Sequence, residues 1–203
     1  MLVQKDVTNQ IEEMLLKALN NVENDYMEMT YGRVAAEVQR PEHAFSSELY
    51  HQLRKLQENE AEYFGFGLNQ SLKFHADLNK MSYHIKDIPC IKKINPKSTR
   101  PDIVLHGGQN NTNFQHLAIE IKMAGVRYDD IEKDLLKLLY YKLSPLNFEN
   151  AIFVFSGNVT VLDNFLLDDF SNNTKNCLKE NKIYFALREN VEIEGAWALY
   201  ELK

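Results

Sequence analysis

The chain has 203 residues, 44% of them hydrophobic and 26% charged, with a formal net charge of −6, the makeup of one globular domain with a sizeable core. That acid excess excludes a surface that grips nucleic acid over its whole extent, because phosphate binding needs clustered Lys and Arg. Cys90 and Cys177 stand far apart without metal-type spacing, the N-terminus lacks a secretory apolar core, and no apolar run reaches bilayer length, so a reduced, cytoplasmic chain with no membrane segment is expected.

Ile11, Leu15, Ala18, Leu19 and Val22 recur at helical spacing and predict an amphipathic helix over 9–24. A second helix is predicted over 42–59, with Phe45, Leu49, Leu53 and Leu56 as its buried stripe and Pro41 suited to its start. The run SLKFHADL, 71–78, reads as a strand. The stretch CIKKINPKSTR then supplies Lys92, Lys93, Lys97 and Arg100 with no acid among them. It is either a solvated loop or a local nucleic-acid-binding patch.

Two apolar runs follow, Ile103 to Leu105 and Leu117 to Ile121, joined by the turn formers GGQNNTN. Residues 128–143 predict a helix with acid in its first turn and lysine near its end, matching the helix dipole, and Pro145 closes it. AIFVFSG, 151–157, reads as a strand covered on both faces. A short helix over about 160–170 and strands at 182–189 and 196–202 complete the chain. With no repeat, low-complexity tract or Pro/Gly-rich linker, a single domain over 1–203 is expected. The order α-α-β-β-β-α-β-α-β-β predicts an α/β fold: a central mixed sheet with helices on both sides, and a right-handed crossover through 128–143.

The two strands at 103 and 117 carry charge where apolar residues belong. Asp102 opens the first, Glu120 lies inside the second, and Lys122 follows. Unpaired buried charge is costly or shifts its pKa. Alternation along a strand sets Leu117, Ile119 and Ile121 on one face and Ala118, Glu120 and Lys122 on the other. Folding the hairpin between residues 111 and 112 puts position 102 opposite 121, and a one-residue allowance makes Asp102 a neighbour of Glu120 or Lys122. Two carboxylates at facing positions repel unless something positive lies between them, and a hard divalent cation is a natural occupant. Lys122 would then polarise a water or stabilise charge on a phosphate.

Glu-x-Lys occurs three times, at Glu120–Lys122, Glu180–Lys182 and Glu201–Lys203. Only the first lies in a buried-strand pattern with an acid-bearing strand upstream. A bland alternative stays open: an edge-strand salt bridge between Glu120 and Lys122, with Asp102 capping the turn after Pro101.

The string RPDIVLH…LAIEIK, with 17 residues between its two acids, resembles the signature of the PD-(D/E)xK nuclease superfamily. The likeness covers about 42–156, and the remaining segments would complete the sheet around that core. It implies a three-layer α/β/α restriction-endonuclease-like fold and a Mg²⁺- or Mn²⁺-dependent, endonuclease-like phosphodiesterase acting on nucleic acid, with DNA expected as the substrate. By the same resemblance Asp102, Glu120 and the carbonyl of Ile121 would ligate the metal. Lys122 would serve the nucleophile, and Glu48, on the helix before these strands, would act through a second ion or a water.

Other features carry less. Asp129, Asp130, Lys133 and Lys137 read as a solvated helix face, His75, His84, His106 and His116 lack zinc spacing, and Trp197 and the Tyr140–Tyr141 pair read as core. The rival function is a non-cleaving nucleic-acid-binding or regulatory module of the same fold. The acidic charge suits that rival, or a homodimer or partner subunit that supplies specificity. Hydrolysis of another phosphate ester also fits the motif.

Overall fold

The computed structural model describes residues 1–26, 29–30, 38–39, 42–63, 72–76, 100–107, 114–123, 127–143, 146–157, 159–168, 170–188 and 196–203. Lys92, Lys93, Lys97, Cys90, His84, Pro41 and Pro145 lie outside them.

The frame is a seven-stranded mixed sheet in the order β1-β9-β8-β7-β6-β5-β4. Its strands are β1 (Leu2–Gln4), β4 (Lys73–Ala76), β5 (Ile103–His106), β6 (Gln115–Lys122), β7 (Asn150–Phe155), β8 (Ile183–Arg188) and β9 (Trp197–Leu202). A separate two-stranded pair, β2 (Met29–Thr30) and β3 (Val38–Gln39), completes the numbering. β6, β7 and β8 run parallel, and the flanking pairs are antiparallel. β5 and β7 are buried at every position. That is the pattern of strands covered on both faces, and the apolar runs Ile103–Leu105 and Ala151–Phe155 within them anticipate it.

Among the described residues five α-helices supply the cover: α1 (Gln10–Asn20), α2 (Glu42–Asn59), α3 (Tyr128–Lys142), α4 (Val159–Asp168) and α5 (Asn172–Glu180). α1 begins at Asn9, whose side chain accepts from the Glu12 backbone N–H, satisfying one of the donors a helix start leaves over. α1 and α2 bury Leu15, Leu19, Phe45, Leu49 and Leu53 against Ile103, Leu117, Ile119 and Ile121. α3, α4 and α5 pack Leu135, Leu138, Phe165 and Leu178 with Ala118, Phe153 and Phe185 in a second core. Helices therefore lie on both faces of the sheet. Two parallel connections of one hand, stepping the same way across β6-β7-β8, must place their helices on one face. α3, α4 and α5 share such a face.

β1, α5 and the short pair β2–β3 were not anticipated. β1 pairs with β9, Leu2 opposite Leu202, so the chain's two ends meet at a sheet edge. α5, capped by Ser171, buries only Thr174 and Leu178. No helix among the described residues is long and apolar enough to cross a membrane.

Candidate active site

The hairpin register decides which charges meet. Ile103 pairs with Ile119, Val104 with Ala118 and Leu105 with Leu117, but His106 pairs with Gln115 across a register shift. One extra residue on β6, at His116, thus moves the pairing by one step. Past the bulge Asp102, one step before Ile103, falls opposite Glu120, one step from the nominal partner Ile121 and within the one-residue allowance of the sequence reading; without the extra residue it would fall opposite Ile119. Because a one-residue slip exchanges the two faces of a strand, the bulge is what brings Asp102 into line with Glu120. The alternation expected along β6 holds. Leu117, Ile119 and Ile121 enter the α1–α2 core, while Ala118 faces the α3 side.

Glu120 is 0% exposed. Its Oε2 accepts from Lys137 Nζ at 3.0 Å, whereas Oε1 is buried and has no hydrogen-bond partner among the described residues. Burial pushes its carboxyl well above the ordinary range; Asp102 and Asp134 add to the rise and Lys137 opposes it. Asp102 is partly buried at the mouth of β5. Its backbone N–H donates to Ile119 O at 3.1 Å, and its Oδ2 accepts from the Ile121 N–H at 2.7 Å. Burial raises the Asp102 pKa to about 6, against the Ile121 N–H and the two nearby ammonium groups.

Lys122 Nζ lies 2.9 Å from Glu42 Oε1 and 2.9 Å from Asp134 Oδ2. Burial works to strip its proton, but Asp134 and Glu42 together outweigh that and move its pKa above the ordinary value. The ammonium is therefore a fixed positive charge and hydrogen-bond donor, not a base. Lys137, 2.5 Å from Asp134 Oδ1, is likewise held protonated: burial lowers its pKa, and Glu120 and Asp134 more than restore it. The result is a chain of alternating charge, Glu42–Lys122–Asp134–Lys137–Glu120, linking α2, β6 and α3. Beneath it Tyr141 is enclosed, its hydroxyl pushed far above the ordinary phenol range by burial and by Glu120.

The cluster stands at the C-terminal end of β6, the end of a parallel strand where α/β sheets bind ligands. A cleft of about 280 Å³ opens beside it, lined by Glu42, His43, Ser46, Ser47 and Tyr50 of α2, by Ala76 and by Asp102. Asp102, Glu120, Ile121 and Lys122 are thus brought together as the sequence indicated.

Glu48 is not brought in. Its Oε1 accepts from Gln52 at 2.6 Å, and the α2 acid that reaches Lys122 is Glu42. The physical reason is axial position: Glu42 lies in the first turn, at the sheet end, and Glu48 lies nearly two turns farther along. Arg100 is exposed, two residues before Asp102. Lys137, read from sequence as solvated, has a side chain only 14% exposed, and Asp134 was missed. The available signal was Asp134's place on the stripe Ile131, Asp134, Leu135, Leu138, Tyr141, which has core spacing. Trp197, Tyr140 and Tyr141 are core residues, as expected.

Asp102 and Glu120 supply hard oxygen donors suited to Mg²⁺ or Mn²⁺, which take one or two carboxylates and complete their shell with water and phosphate. Glu120 Oε1, buried and without a hydrogen-bond partner among the described residues, could serve such a ligand beside the Tyr141 hydroxyl. Among the described residues, four carboxylates (Glu42, Asp102, Glu120, Asp134) face two ammonium groups (Lys122, Lys137), so this described set, fully ionised, carries a net charge of two negatives. Among the described residues no three His, Cys, Asp or Glu side chains converge into a metal-holding group. The protein donors reduce to this pair and backbone oxygen. No family model, curated protein or solved structure matches this chain.

Proposed function

We propose that the chain is a divalent-metal-dependent phosphodiesterase of the PD-(D/E)xK kind, with a restriction-endonuclease-like fold and nucleic acid, DNA first, as substrate. The observation that carries this reading is the facing pair of partly buried Asp102 and fully buried Glu120, one step beyond the Ile103–Ile119 pairing near the end of β6, with a protonated Lys122 on the same strand. Bound Mg²⁺ or Mn²⁺ would supply Lewis-acid charge and an activated water. Asp102 and Glu120 would hold it. Glu42 and Asp134 fix the Lys122 ammonium, which would stabilise charge on the transferring phosphate without any proton exchange. The cleft along the first turns of α2, with Ser46, Ser47 and His43 on its wall, would receive the strand next to the scissile phosphate. Incubating the protein with single- and double-stranded DNA and RNA in Mg²⁺, Mn²⁺ or EDTA tests the reading. Cleavage of at least one form in metal, and of none in EDTA, is expected.

One observation favours a non-cleaving binding or regulatory module instead: both lysines are fully engaged by Glu42, Asp134 and Glu120. Metal-independent binding of the same nucleic acids with no cleavage would select that second reading.

A further inference from the structure

We infer that Lys137 is the built-in counter-ion of the Asp102–Glu120 pair, and that its ammonium competes with a divalent cation for Glu120. This rests on the metal-site reading above. Two carboxylates in facing register need positive charge nearby, and α3 delivers one: Lys137 Nζ, 3.0 Å from Glu120 Oε2 and 2.5 Å from Asp134 Oδ1. The other Glu120 oxygen, on a side chain with no exposed surface, has no hydrogen-bond partner among the described residues. One oxygen thus carries the ammonium, and a cation at Glu120 would share the carboxylate with the nearby Tyr141 hydroxyl, which makes no hydrogen bond of ordinary geometry among the described residues.

A cation held by Glu120 would lie within a few ångströms of that ammonium. Repulsion between positive charges at about 4 Å is on the order of kcal/mol even at the effective dielectric of a protein surface. Lys137 is tethered by a flexible four-carbon stem and anchored on its far side by Asp134. It can swing off Glu120 while keeping its contact with Asp134 as the cation arrives, without any change of fold. Lys137 is therefore a positioning residue that sets the threshold for metal entry.

The test is Mn²⁺ binding, followed by the electron paramagnetic resonance of free Mn²⁺, for the wild type, Lys137→Met, Lys137→Arg and Lys137→Met/Asp102→Asn. Lys137→Met should bind Mn²⁺ about tenfold or more tightly than the wild type, since the competing charge is gone. Lys137→Arg, which keeps the charge, should stay within about threefold of wild type, and the double variant should lose the gain. Lys137→Gln is measured alongside and should follow Lys137→Met, which covers the case in which the Met variant fails to fold.

Unchanged or weaker Mn²⁺ binding in the uncharged variants overturns the inference, even if Asp102-dependent binding in the wild type upholds the metal site. Binding in the uncharged variants but not in the wild type supports the inference and counts against catalysis. No binding in any of them sinks both.

Discussion

Lys122 and Asp134, an ammonium on β6 and a carboxylate on α3, meet at 2.9 Å in a site where Asp134 is almost wholly enclosed. This contact ties the strand that carries Glu120 to the helix that covers it, and it fixes Lys122 as a charge rather than a base. Breaking one side of such a pair leaves the other buried and uncompensated.

Lys122→Ala should cost on the order of 10²-fold in cleavage rate, comparable to losing one preorganised electrostatic contact. Lys182→Ala and Lys203→Ala, the lysines of the other two Glu-x-Lys copies, should stay near wild type. Initial rates on one DNA substrate in Mn²⁺ decide. Equal losses at all three positions would mean the site lies elsewhere.

Glu42 and Glu48 give a second contrast on one helix. Glu42 holds Lys122, while Glu48 pairs with Gln52 on α2 itself. Glu42→Gln should lower the rate about tenfold, the modest figure reflecting a partly exposed ion pair. Glu48→Gln should leave the rate unchanged. The reverse ranking would restore Glu48 to the role its resemblance to the superfamily suggested.

These contrasts follow where the sequence was legible and where it was not. The apolar runs of β5, β6 and β7 reveal themselves because strands covered on both faces are apolar throughout. The acids at positions 102 and 120 stand out against that background. The register was not legible, because it turns on a bulge near His106 and Gln115 that no periodicity signals. Glu42 was overlooked because a helical wheel shows direction around the axis and says nothing of which turn reaches the sheet end. Asp134 and Lys137 hid in a helix rich in acids and lysines, where solvated faces look the same. β1 and α5 escaped for opposite reasons: one is three residues long and pairs with the far end of the chain, the other is mostly polar.

The pH dependence of the metal-free protein offers a third prediction. Asp102 ionises at about 6 in the folded chain against an ordinary value of 3.8, so the folded state holds the proton more tightly. Its stabilising contribution is fully present below about pH 4 and is lost as pH rises through about 6, an effect of at most about 3 kcal/mol. In EDTA the wild type should therefore lose stability over that window, and Asp102→Asn should lose less. Urea unfolding from pH 4 to 7 reads the difference. Parallel curves for the two proteins would contradict the assigned burial of Asp102.

The central claim, that Asp102 and Glu120 form a divalent-cation site, is tested most directly by calorimetric melting of the wild type and Asp102→Asn, each with Mn²⁺ and with EDTA. Removing one of two facing carboxylates should leave the metal-free protein as stable as the wild type or more so, as is common where function opposes stability. Mn²⁺ at a hundredfold excess over Kd should stabilise the wild type by about 2.7 kcal/mol, and Asp102→Asn should largely lose that gain. A destabilised Asp102→Asn, beside a wild type that melts at the same temperature with Mn²⁺ as without, would contradict the account.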